Sequence, residues 1–251
     1  AGSPFAAAAD SSPFDGGSGT AEDPYLVSTV EQLQEVRNYS SSNFLQTNDI
    51  DLSGVSYMPS QSIAEGGVYD GGGNRITGYK GSSALFSSNS GTIRNLGLQD
   101  SEITCISSPY GQHLTYTIGG MVGTNSGTIH NCYVDNMDMS VSISMQATHS
   151  FSTLTLNVGG MVGINSGTIS CCYITGSGTC KKYNIAGAEA GASVYVGGIS
   201  GRNGARINEP GTMNNCYSMA EVTGGTNGTL SGFNGATITK CYYNGPRATG
   251  S

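Results

Sequence analysis

The chain has no tryptophan, few charges and little basic character. Charged residues are 11% of its 251 residues, under half the usual share of roughly 25%. Lys and Arg total 10 against 17 Asp and Glu, and they form no dense block. A nucleic-acid groove needs clustered positive charge, so no nucleic-acid partner is expected, and the net charge of −7 disfavours docking on anionic lipid. No run of 18 apolar residues exists, so no membrane insertion is expected. No secretory leader is seen, as would hold for a mature or trimmed chain. The short phrases of common chemistry are missing as well. There is no H-E-x-x-H, no C-x-x-C or His-rich spacing and no Walker or dinucleotide loop, so neither a metal nor a cofactor is expected. Gly198-Ile199-Ser200-Gly201 lacks the rest of a nucleophile elbow, and His113, His130 and His149 stand apart from any such phrase.

What the chain does have is glycine, 39 residues of it, and a phrase written over and over. Ile118 opens IGGMVGTNSGTIHNCYV and Val158 opens VGGMVGINSGTISCCYI. Val196 opens VGGISGRN, resumed at Gly211 as GTMNNCYS after an insertion, Ala205 to Pro210. Worn copies begin at Ala84 and Leu230. Such a repeat is one supersecondary unit stacked on its own copies, each burying its apolar face against its neighbours. The repeats, at 84–98, 118–134, 158–174, 196–218 and 230–243, therefore belong to a single elongated domain over 20–251.

Aligned columns assign a job to each position. Leu85, Met121, Met161, Ile199 and Leu230 form one apolar column, and Ile93, Ile129, Ile169, Met213 and Ile238 another, so both should face inward. Arg94, His130, Ser170, Asn214 and Thr239 should face water. Equivalent residues stacked about 4.8 Å apart describe in-register parallel strands. Asn89, Asn125, Asn165, Asn203 and Asn234 recur at one place, and a ladder of amides at a turn that tolerates left-handed backbone explains them better than catalysis does.

Around the repeats, residues 1–19 read as a tether or vector-derived remnant outside the core. Tyr25 to Val27 reads as a strand. Ser28 and Glu31 fit a capping box for a short helix that places Val30, Leu33 and Val36 on one face, a natural cap for the array. The intervals between repeats alternate polar and apolar residues. Residues 138–157, with a turn at Gln146 to Ser150, read as a long protruding hairpin, and 99–117 and 175–195 as two more.

The phrase resembles the GLUG repeat, roughly V-G-G-L-V-G-x-N-x-G-T-I-x-N-C-Y. The match is close at 118–134 and 158–174, split by the insertion at 196–218 and degenerate at both ends. GTAEDPYLVST, TNDIDLSG and YDGGGNRITG resemble the head of such proteins, so the likeness spans about residues 19–244. It implies an all-β, right-handed parallel β-helix from a bacterial cell-surface or secreted protein. Family members include proteins regarded as adhesins, and the repeat accompanies some immunoglobulin-cleaving metallopeptidases. The motif brings no catalytic residue with it.

Cys132, Cys172, Cys216 and Cys241 fill a column that holds Leu96 in the first repeat, so they read as a buried thiol ladder. Parallel rungs suit S–S geometry poorly, while a Cys171–Cys180 bridge stays open and Cys105 lies off the column. Asp49, Asp51, Ser53 and Gly54 hint at calcium but lack the remaining ligands of a loop site. Tyr133, Tyr173, Tyr217 and Tyr242 form an aromatic column that could stack on sugar rings or pack across rungs, and they are the candidate binding residues. The expected function is a non-catalytic, monomeric, adhesin-like module on the cell surface or outside the cell, binding a host glycan or matrix protein through its hairpins and outer faces. The alternatives are a passive stalk, or a polysaccharide lyase or hydrolase that would draw its acids and bases from Asp49, Asp51, Asp70, Arg75 and Arg94.

Overall fold

The computed structural model describes residues 12–56, 61–147, 152–186, 191–204 and 210–244. Within them the chain is a parallel β-helix, all-β apart from a short α-helix Val30–Glu35 and the 3-10 turn Val36–Tyr39 that follows it. Four sheets run along it, of eight, ten, six and four strands, and every pairing among the described residues is parallel. One coil shows the plan. Thr128–His130 lies in the eight-stranded sheet, Tyr133–Ala147 in the ten-stranded, Thr153–Gly159 in the four-stranded and Val162–Asn165 in the six-stranded. Thr168–Ser170 then returns to the first sheet, on top of Thr128–His130.

Identical columns close the coils on one another. Leu85, Met121, Met161 and Ile199 are fully buried, as are Ile93, Ile129, Ile169 and Met213. Leu230 and Ile238 in the last repeat are only half-buried, because they have a neighbouring coil on one side alone among the described residues. The asparagines stack as a continuous amide chain. Asn89 donates to Asn125, Asn125 to Asn165, Asn165 to Asn203 and Asn203 to Asn234, each at 2.8 Å. Left-handed backbone belongs to a different column from the one expected. Asn95, Asn131, Cys171, Asn215 and Lys240, at the corner into the ten-stranded sheet, have φ of 50–53°. Asparagine stabilises such a corner best, and Asn131 Nδ2 also bonds Asn95 Oδ1 at 2.8 Å.

The intervals are not hairpins in the hydrogen-bonded sense. Each arm pairs with its counterpart in the next coil. Asp138 lies beside Glu102 and Ser177, and Leu154 beside Leu114 and Ala192. Period-two alternation is common to all the intervals, so they can stack as the repeats do and bury Met139, Val141, Ile143 and Met145 with Leu154 and Leu156 in the common core. The expected turn at 146–150 starts too early, since Gln146 and Ala147 still pair with Tyr110 and Gly111, and 148–150, with His149, lie outside the described residues.

The head also departs from expectation. Residues 12–19 are part of the fold, not a tether. Phe14 is 7% exposed, its ring stacks on Tyr25 at 4.6 Å, and Leu26 N donates to Gly16 O at 3.0 Å. Residues 1–11 lie outside the described residues. The helix does carry a capping box, one residue later than the sequence suggested. Thr29 is the N-cap and Gln32 its reciprocal partner, while Ser28 and Gln32 both donate to Asp15. Leu33 and Val36 are fully buried and cover the first coil.

Candidate functional site

The outer face of the ten-stranded sheet carries the candidate residues. Tyr133, Tyr173, Tyr217 and Tyr242 stand in register on successive strands. Tyr173 is 41% exposed and Tyr242 68%, while Tyr133 and Tyr217 are half-buried. The rings of Tyr133 and Tyr173 lie face to face, 5.1 Å apart and 6° from parallel. Their facing surfaces cover one another, so this pair offers ring edges and hydroxyls to a ligand and not a shared stacking platform. One rung earlier the column holds Gly97. A Cβ there would meet the Tyr133 ring at 2.3 Å, so the tyrosine leans into space that only glycine leaves. Burial, with Tyr133 and Asp135 alongside, pushes the Tyr173 phenol up, which keeps it a neutral donor.

Beside the tyrosines runs a row of polar groups that the sequence reading did not assemble. Arg75 Nε donates to Asp49 Oδ2 at 2.9 Å and Arg75 Nη1 to Gln99 Oε1 at 3.1 Å. Gln99 Nε2 donates to Asp135 Oδ2 at 3.2 Å, and Thr175 Oγ1 to Asp135 Oδ1 at 2.5 Å. The signal was present two residues beyond the tyrosine column, where Gln99, Asp135 and Thr175 follow Gly97, Tyr133 and Tyr173. It was hidden because these positions share polarity and not identity.

The five residues considered for catalysis are divided between two sheets. Asp49 and Arg75 pair on the ten-stranded face. Asp51 accepts from Ser53 N at 2.8 Å, and hydrogen bonds from Ser53, the largest effect, and Thr77 hold its carboxyl low. Asp70 and Arg94 pair at 2.7 Å on the eight-stranded face, beside an open cavity of about 360 Å³ that Asn43, Leu45, Val68 and Pro24 also line. Burial pushes the Asp70 carboxyl up, but hydrogen bonds from Asn95, Gly72 N–H and Arg94, with the arginine's charge, outweigh it and hold the group below the usual carboxylate range. Carboxyls held low in this way, as Asp51 and Asp70 are, suit structure better than proton donation near neutrality. Among the described residues no group of three or more His, Cys, Asp and Glu converges on a possible metal position.

Cys132, Cys172 and Cys216 are buried and free, and Cys241 is free and half-buried. Hydrogen bonding between neighbouring thiols, with burial, pushes the Cys172 and Cys216 thiols above their usual range. Cys105 is buried and free. Cys171 is an exposed free thiol, and the side chain of Cys180 lies outside the described residues.

Fold and site together define a parallel β-helix with a tyrosine-lined, hydrogen-bonded outer face. No family model matches the chain, the GLUG model included. A proposed Gly-rich membrane protein of Evansella cellulosilytica is 36% identical over 146 residues, which are 51% of this chain and 16% of that protein. The chain thus spans about a sixth of the length of this relative. In shape it is similar to the crystal structure of a proposed immunoglobulin A1 protease from Bacteroides ovatus, with a TM-score of 0.55, 17% identity, and coverage of 94% of this chain and 87% of that one. At that identity the likeness is one of fold. Among the described residues no helix is long and apolar enough to cross a membrane.

Proposed function

We propose that the chain is a non-catalytic, adhesin-like recognition module of a bacterial surface or extracellular protein, a GLUG-type β-helix that presents its outer face to a host glycan or matrix protein. The observation that carries this reading is the row of tyrosines, exposed at Tyr173 and Tyr242, lying beside the Asp49–Arg75–Gln99–Asp135–Thr175 chain on one sheet. Phenol hydroxyls, amides and carboxylates at fixed spacing on a flat sheet make a contact surface without ordering loops on binding. The name of the Evansella relative, which mentions a membrane, supports a surface location. The Bacteroides ovatus protein of similar shape is named for an immunoglobulin A1 protease, and its chemistry is not carried over to this chain.

The test is an array of glycans, mucin, matrix proteins and immunoglobulins probed with the full chain and with Tyr173→Ala and Asp135→Ala. A ligand whose binding both substitutions weaken supports the reading. Turnover of a polysaccharide that a single Asp49→Asn, Asp51→Asn or Asp70→Asn change abolishes would overturn it in favour of a carbohydrate-active enzyme.

A further inference from the structure

A second face of the molecule carries an arginine whose surroundings are unlike those of the other paired cations. Arg75, Arg94 and Lys80 each meet a carboxylate, at 2.9, 2.7 and 3.2 Å. Arg202 meets none. It stands on the six-stranded sheet in the column Ser88, Thr124, Ile164, Arg202, Phe233. Its guanidinium lies 5.1 Å from the centre of the Tyr195 ring and 4.8 Å from that of Phe233, and the two rings are 5.5 Å apart at 61°. Tyr195 belongs to the four-stranded sheet, in the column Thr117, Asn157, Tyr195, Thr226. The two sheets meet here at a close-packed corner, a notch whose sides are the partly exposed Arg202, Tyr195 and Phe233. A Cβ on Gly201 would come within 2.8 Å of Asn157 carbonyl carbon, and one on Gly232 within 2.8 Å of that of Tyr195.

The notch holds polar groups that the protein leaves unmatched. Arg202 Nε is buried without a partner, and no protein acceptor meets any other N–H of this guanidinium among the described residues. Asn157, one coil away on the facing sheet, is fully buried, and its Oδ1 has no partner. A guanidinium carries five N–H donors, always charged, in a planar fork that fits a carboxylate with two bonds. Two neighbouring aromatic rings pack against that fork and keep its charge only partly hydrated. A buried donor left unmade is costly, so an acceptor brought by a ligand gains more here than on an open surface.

We propose that this notch binds a saccharide carrying a single carboxylate, such as a uronic or sialic acid residue, with Arg202 as the anchor of the carboxylate and Tyr195 and Phe233 as its walls. Thr117, Thr124 and Thr226 supply hydroxyl groups of the kind that match sugar hydroxyls. The net charge of −7 repels a polyanion or an acidic peptide while leaving one isolated carboxylate on a neutral polyol tolerable. The site lies on different sheets from the tyrosine row and stands or falls apart from it.

The test uses the full chain labelled with nitrogen-15 and titrated with glucuronate, N-acetylneuraminate, the methyl esters of both, and triglutamate, with calorimetry alongside. Expected is a shift of the Arg202 Nε–H resonance on adding a sugar acid, and binding on the order of tenfold weaker in Arg202→Gln, as loss of a bidentate charged contact predicts. Lys80→Gln, which changes an exposed cation paired with Glu102 away from both sites, leaves this binding unchanged. Methyl esters that bind as well as the acids, or an Arg202→Gln chain that folds and binds as the parent does, overturn the proposal. So does triglutamate shifting the resonance while the sugar acids do not, or no shift with any probe. Should Arg202→Gln fail to fold, Arg202→Lys takes its place: it keeps the charge and loses the planar fork, and undiminished binding to it is equally fatal.

Discussion

The head of the molecule, residues 12–102, and the close repeats, residues 118–174, are built on the same coil but held together differently. The head is knitted from unique pairs. Phe14, Tyr25, Tyr39, Phe44, Tyr69 and Phe86 form a run of ring contacts, and all three of the ion pairs among the described residues lie there. The repeats have no ion pair among their described residues and rely mainly on like meeting like: Asn on Asn, Ile on Ile, Cys beside Cys. A ladder of identical residues is indifferent to which coil comes next, so it can be lengthened. A head of unlike partners fits one position only and can close the stack.

Core truncation gives the largest effect and tests whether the two regions unfold as one. Phe44→Ala should cost about 3–5 kcal/mol and Ile169→Ala about 2–5 kcal/mol in urea unfolding, since both side chains are buried to within 1%. If neighbouring coils are tightly coupled, both losses appear in one transition. Two separate transitions, each moved by only one substitution, would show that head and repeats are independent units.

Breaking the ladder comes next. Asn165→Ala removes a fully buried rung that donates to Asn203 and accepts from Asn125, leaving both neighbours short of a partner, and should cost about 1–3 kcal/mol. The same change at Asn234, which is exposed at the last rung, should cost clearly less. Equal losses would mean that the ladder does not act through burial.

Acid should loosen the head before the repeats. The carboxyls of Asp15, Asp51, Asp70 and Glu102 are all held low, chiefly by hydrogen bonds and for Asp70 against the effect of burial. A carboxyl lowered by folding contributes stability that is full above its unfolded value, near 4, and is lost as pH falls through the lower folded value. Hydrogen exchange followed from pH 6 down to pH 2.5 should show protection falling in residues 12–102 first. The effect is small, because these groups, Asp70 apart, are largely exposed.

The smallest change is chemical. Under native conditions an aromatic disulfide reagent should label Cys171 at once and leave Cys132, Cys172 and Cys216 untouched until denaturant is added. Rapid native labelling of the buried three would mean that the repeats breathe more than the head.

The columns could be read from the chain because a repeat prints the same environment several times. Met121 and Met161, or Ile129 and Ile169, must face the same way, and a parallel stack is the arrangement that lets them. The intervals misled for a related reason. Alternation in 138–145 and 151–156 says that each arm is a strand with one buried face, and it is silent on whether the partner is the other arm or the next coil. Phe14 was missed because a Gly-, Ala- and Ser-rich stretch has no period to show that one ring in it is buried.

Sequence by itself determined the repeating unit, its inward columns, the thiol and amide ladders, and the shortage of charge. Those are properties of one coil and its copy, and local patterning is enough to set them. Tertiary structure alone decided the rest: that Tyr133 and Tyr173 cover each other's faces, that Arg75 reaches both Asp49 and Gln99, and that Arg202 lies against both Tyr195 and Phe233. Each of these brings together residues from different coils or different sheets. Their distance is fixed by how many residues each corner and interval takes up, a quantity that the repeated phrase leaves free.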